Sequence, residues 1–319
     1  MSGLRYDRRM HRHDSLHWLT AAAVAALLVA GCDDTRPPFR DGGGTDAGDS
    51  GGDPFVDSGP RRDGGPIDPL CGTAAARYLY VVAADDAFLR FDPETNTLTP
   101  LGILSCPTSS SPFSMAVDRN ATAWVLYQDG RIFHVSTADV SCTATSFAPN
   151  QAGFEVFGMG FVSDAPGSAE ETLFVAGGSL LDITLGSASL GRVDSSLRLT
   201  SVGGLPGWPE LTGTGAAELW GFFPDTSPPS VRMIDQGSGA TTRTFPMSEL
   251  GSGSGLGDRA WAFAFWGARF YVFYKGDFDT TTNVWRLDPA DGSVIEVLHD
   301  TGYRIVGAGV STCAPIELI

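Results

Sequence analysis

Few side chains in this sequence are of types that make or break bonds, and their spacing limits what they can do. Cys71, Cys106, Cys142 and Cys313 are either disulfide partners, in one of three connectivities, or metal ligands. A zinc site has no C-x-x-C pair to build on, and beyond residue 31 only His134 and His299 could join it, so pairing is the stronger reading. His134 sits between Phe133 and Val135, which reads as a strand histidine, and His299 precedes Asp300 in a turn. Asp277, Asp279 and Asn283 place hard oxygen donors at alternating and nearby positions, a spacing open to calcium; a solvated turn has the same composition. The run Gly251-Ser252-Gly253-Ser254-Gly255 holds its serines out of register for a nucleophile elbow. Gly213-Thr214-Gly215 is too short for a dinucleotide fingerprint. No catalytic set emerges. Trp208, in a loop between Pro206-Gly207 and Pro209, is the candidate for ligand contact, while Trp261 to Trp266 and Tyr271 to Tyr274 read as core strands.

The amino-terminal segment determines where these residues work. Arg5, Arg8, Arg9 and Arg12 precede a run of 13 residues from Trp18 to Ala30 that is almost all Ala, Val and Leu. That length suits a signal sequence and falls short of the roughly 20 residues a membrane helix needs. Arg8-Arg9 resembles a twin-arginine signal only in the pair itself. Leu28-Val29-Ala30-Gly31-Cys32 resembles a bacterial lipobox, which implies that residues 1–31 are removed and that Cys32 carries the lipid. The expected location is the cell envelope, with the domain in the periplasm or at the cell surface and the membrane engaged through the lipid. The compartment is oxidising, which agrees with disulfides. Asp33 and Asp34 leave the choice of inner or outer membrane open.

Residues 32–70 read as a tether. Nine Asp, nine Gly and six Pro between 33 and 70, with few large apolar side chains, cannot bury enough surface to offset ordering. A flexible coil of this length has a root-mean-square span of about 30–40 Å. The formal net charge is −16, and removal of residues 1–31 takes it to −18. So acidic a chain is a poor match for nucleic acid or anionic headgroups.

Residues 71–319 read as one all-β domain. Short β-rich runs recur: 78–82, 123–127, 172–175, 218–222 and 269–273. Each is followed by a second strand that ends at an anchor, Asp92, Ser136, Asp194, Asp235 or Asp288, spaced by 44, 58, 41 and 53 residues. A period near 40–50 with about four strands per unit is the signature of a β-propeller. In Asp92-Pro93-Glu94-Thr95-Asn96 and Asp288-Pro289-Ala290-Asp291-Gly292, the Asp bonds its own backbone, the Pro fixes φ, and the last residue tolerates positive φ.

Over about residues 77–311 the pattern is similar to that of NHL-type and SMP-30-like propellers, and to propeller lipoproteins with Asp/Gly-rich tethers from myxobacteria. Five blades are expected, with six open because the third unit is long. The first unit lacks an innermost strand, and Arg304 to Val310 is left over, so the carboxy-terminal strand is expected to complete the amino-terminal blade. That closure favours Cys71–Cys313, and Cys106–Cys142 as a staple between neighbouring blades. The expected function is a non-catalytic propeller that binds or scaffolds an envelope protein or glycan, without a cofactor. The alternative is a lactonase-like hydrolytic propeller with a calcium ion in its channel.

Overall fold

The computed structural model describes Cys71 and residues 74–184, 186–251 and 258–318. The signal, Cys32, the tether and the serines of the 251–255 run lie outside those residues.

Local turn chemistry cuts the chain into four-stranded units. Blade 1 contains β1 (Leu79–Ala83), β2 (Ala87–Asp92) and β3 (Thr97–Ile103). Blade 2 is β4 (Pro112–Val117), β5 (Thr122–Tyr127), β6 (Ile132–Ser136) and β7 (Cys142–Ala144). Blade 3 is β8 (Val156–Ser163), β9 (Glu171–Gly178), β10 (Ala188–Val193) and β11 (Leu199–Leu205), with a short helix α1 (Leu180–Thr184) between β9 and β10. Blade 4 is β12 (Glu210–Gly213), β13 (Leu219–Phe223), β14 (Ser230–Ile234) and β15 (Thr241–Pro246). Blade 5 is β16 (Ala260–Trp266), β17 (Arg269–Lys275), β18 (Asn283–Leu287) and β19 (Val294–Leu298), and β20 (Ile305–Val310) follows. The described residues form five sheets, all antiparallel. The length of the third unit comes from long strands and the inserted helix, not from a sixth blade.

The anchors act as their chemistry requires. Asp92 Oδ1 accepts the Glu94 amide at 2.9 Å, Asp194 Oδ1 that of Ser196 at 2.9 Å, and Asp288 Oδ1 that of Ala290 at 3.0 Å. Three or four residues past each anchor the backbone turns to positive φ, at Asn96, Val140, Leu197, Gly239 and Gly292. These turns join the third strand to the outer strand, whose side chains are largely solvated, as in β3 and β15.

The inner strands are apolar on both faces because each is sandwiched between blades. Alternate side chains of β16 and β17 show the rule. Ala262, Ala264, Tyr271 and Phe273 pack towards blade 1, while Phe263, Phe265, Phe270 and Val272 pack towards blade 4. Five such clusters fill the five gaps between neighbouring blades. The period-2 pattern of a strand thus feeds two cores at once.

Strand β20 closes the ring. It pairs antiparallel with β1, with Leu79 opposite Val310 and Val82 opposite Gly307, and completes the order β20-β1-β2-β3. Gly309 is needed because a Cβ there would lie 2.9 Å from the Ala116 carbonyl carbon and the Val117 amide. Cys71 bonds Cys313 and clasps the two ends of the closing pair, while Cys106, after β3, bonds Cys142 on β7. Both are the pairings that ring closure favoured.

Candidate functional site

Because each blade repeats the same path, the inner strands β4, β8, β12, β16 and β20 all begin at one end of the central channel. At that end the starts of four of them surround a cavity of about 160 Å³. Phe113, Glu210, Trp261 and Val306 come from the strands, and Trp208, Arg259 and Arg304 from the segments leading into them. Trp208 is half-buried. Its indole N–H donates to the Ala176 carbonyl at 3.1 Å, and its ring stacks on Phe113 with centroids 5.5 Å apart. Trp261 stands perpendicular to Trp208, at 89° and 6.1 Å, so the two indoles form a corner.

Glu210 is the acid of this site, and it is 4% exposed. Its Oε1 accepts the Ser114 hydroxyl from β4 and the Met159 amide of β8, the latter at 3.4 Å. One carboxylate therefore ties three inner strands together. Burial pushes its pKa well above the usual carboxylate range, and the two hydrogen bonds oppose that only in part. Gly158 makes room for it, since a Cβ there would meet the Pro209 carbonyl at 2.6 Å and Glu210 Oε2 at 2.9 Å.

Two arginines flank the opening. Arg259 donates to Asp225 Oδ1 at 2.8 Å and to the Pro224 carbonyl, and lies 5.4 Å from the Trp261 ring centroid. Arg304 donates to Asp258 Oδ1 at 2.8 Å and to the Arg259 carbonyl at 3.1 Å. In both, Nε is enclosed and meets no acceptor.

The opposite end of the channel is filled. Buried Arg119, just past β4, donates to Thr312 Oγ1 at 3.0 Å and Ser163 Oγ at 3.3 Å. Glu171 accepts the Arg119 amide at 2.8 Å and the Thr312 hydroxyl at 2.7 Å. Burial pushes the Glu171 carboxyl up to about 7, against the lowering effect of those two bonds and of the Arg119 charge. Cys71 lies against Arg119, so the clasp and this polar cluster form one plug.

The other residues singled out from sequence lie elsewhere. On β6, His134 packs its ring 4.3 Å from that of Trp124, and burial lowers its pKa while the Asp118 charge raises it. His299 is exposed and bonds Glu296 at 2.6 Å. Asp279 accepts the Gly276 amide of its own loop at 2.8 Å, whereas Asn283, at the start of β18, accepts the Asp300 amide from the segment after β19 at 2.8 Å. Among the described residues no three His, Cys, Asp or Glu side chains gather as a metal site. Of the sequence candidates only Trp208 lines the cavity. Glu210, Ser114, Arg259 and Arg304 were not anticipated. The available signal was an acid on the first residue of an inner strand, where the other blades carry Pro112, Val156, Ala260 and Ile305.

No family model matches this chain, and no curated protein does. Among solved structures it is similar to TolB from Acinetobacter baumannii, at 12% identity and a TM-score of 0.41 over 70% of this chain and 52% of that one. It is similar to an oligogalacturonate lyase in complex with manganese, at 12% identity and 0.37 over 71% of this chain and 63% of that one. A protein of unknown function from Bacteroides caccae aligns at 11% identity and 0.41 over 73% of this chain and 97% of that one. The chain thus spans about half the length of the TolB chain. Likeness at this level assigns no function, and the description as a five-bladed β-propeller rests on the chain's own sheets.

Proposed function

We propose that this protein is a lipid-anchored envelope protein whose propeller is a non-catalytic binding module, with its ligand held at the starting end of the channel. The observation that carries this reading is the contrast between the two channel ends. One end is an open corner of Trp208 and Trp261 floored by Glu210, and the other is packed with Arg119, Glu171 and Thr312. A one-ended recess with aromatic walls and few polar groups suits binding. Among the described residues Glu210 is the only carboxylate lining the cavity, and no second acid or histidine lines it for acid–base work. Lipid on Cys32 and the acidic tether would keep the domain within the envelope.

The test is in-cell crosslinking from a photoreactive residue at exposed Gln128, on the rim, in the full lipidated chain. Reproducible capture of one envelope component, abolished by Trp261→Ala, supports the reading. Multiple turnover of a lactone or ester by the purified chain, lost in Glu210→Gln, overturns it. The hydrolytic alternative draws on Glu210, the one carboxylate among the described residues that lines the cavity, and it requires activity that depends on added calcium.

A further inference from the structure

The floor of the cavity has one polar atom left over, and its chemistry narrows what the cavity can hold. Glu210 Oε1 is engaged by Ser114 and Met159, whereas Oε2 accepts no hydrogen bond from the described residues. Across the opening stand the side chains of Arg259 and Arg304, whose Nε atoms are enclosed and so out of a ligand's reach. The polar atoms of a buried carboxyl are normally satisfied. Burial favours the protonated carboxyl, and with Oε1 already accepting two hydrogen bonds the free Oε2–H is a donor, so a ligand that completes it must offer an acceptor.

We propose that this recess takes a single neutral sugar ring, with a ring or hydroxyl oxygen accepting from the Glu210 carboxyl, its other hydroxyls turned towards the opening beside Arg259 and Arg304, and a C–H face laid into the Trp208–Trp261 corner. The proposal rests on the binding-module reading and specifies its ligand class.

Size, shape and charge support this choice. A cavity of about 160 Å³ admits one six-membered ring, much as a cavity of about 150 Å³ admits benzene. Perpendicular indoles offer electron-rich faces to weakly positive C–H groups. A sugar carries several hydroxyl and ring oxygens that accept, which matches a floor that donates from the Glu210 carboxyl. The charges around the cavity are already balanced. Arg259 is paired with Asp225 and Arg304 with Asp258. Burial favours the protonated, uncharged form of Glu210. An anionic ring therefore meets no spare cation, in a chain of net charge −16. An ammonium ligand would sit against two guanidinium groups.

The experiment is saturation-transfer NMR on the purified full chain, with affinities from tryptophan fluorescence. The probes are the methyl glycosides of glucose, galactose, mannose and N-acetylglucosamine, with galacturonate and tetramethylammonium as contrasts. The expected result is saturation of ring C–H protons of at least one neutral glycoside. Its affinity should fall by about tenfold or more, the scale of one lost contact, in Trp261→Ala, and should be retained in Glu210→Gln, whose amide N–H replaces the carboxyl donor. If Trp261→Ala does not fold, Trp261→Phe preserves packing and serves in its place. Binding of galacturonate or tetramethylammonium alone overturns the sugar assignment but leaves the binding module standing. Absence of transfer from every neutral glycoside at tens of millimolar also overturns it. Turnover of a bound probe would instead defeat the non-catalytic reading.

Discussion

Removing the Cys71–Cys313 clasp should cost more stability than removing Cys106–Cys142, and the difference follows from the topology. A disulfide stabilises by closing a loop in the unfolded chain, and the effect grows with the logarithm of loop length. The two bridges span 242 and 36 residues. With the smaller ring nested inside the larger and intact, the outer ring is effectively about 206 residues long. Using 1.5RT ln(206/36), the clasp exceeds the staple by about 1.5 kcal/mol. The absolute losses on the same scale are about 5 and 4 kcal/mol. The clasp also sits where β20 meets β1, so its loss frees the strand that closes the ring. The assay is equilibrium urea unfolding of Cys71→Ala/Cys313→Ala and Cys106→Ala/Cys142→Ala, compared by midpoint and slope. Equal losses, or a greater loss from the 106–142 pair, would refute the reasoning that ring closure dominates.

Gly309→Val should lower stability by about 1–3 kcal/mol through overpacking against Ala116 and Val117, read as an earlier thermal midpoint. Glu171 gives a pH signature. Its carboxyl is held near 7 in the fold against an ordinary 4.5, so the protonated form is favoured by folding. Its contribution is present below about 4.5 and lost as pH rises through 7, by at most about 3 kcal/mol. Glu171→Gln should flatten this slope in melting temperatures measured from pH 4.5 to 8, and an unchanged slope would assign it to other groups. Added calcium should leave the melting temperature where it was, because Asp279 and Asn283 are already engaged by the backbone amides of Gly276 and Asp300. A saturable upward shift, abolished by Asp279→Asn, would establish a cation site there.

The sequence by itself determined everything that depends on neighbours along the chain. Asp92, Asp194 and Asp288 bond amides two residues away, so the turns that divide the blades are local events with a readable composition. The strands between them announce themselves by β-rich runs of fixed context, and the unpaired strand at residues 305–310 implied ring closure and hence the cysteine pairing. Tertiary structure alone decided the site. Ser114 and Glu210 are 96 residues apart, and Arg119 and Thr312 are 193 apart. Which end of the channel stays open depends on side chains contributed by several blades. A single blade's pattern specifies only that its inner strand is buried, because both faces of that strand pack against neighbours and apolar residues suit either face. The direction in which Glu210 points is set by the space left at Gly158 and by the hydroxyl of Ser114, and those positions become neighbours only when the ring closes.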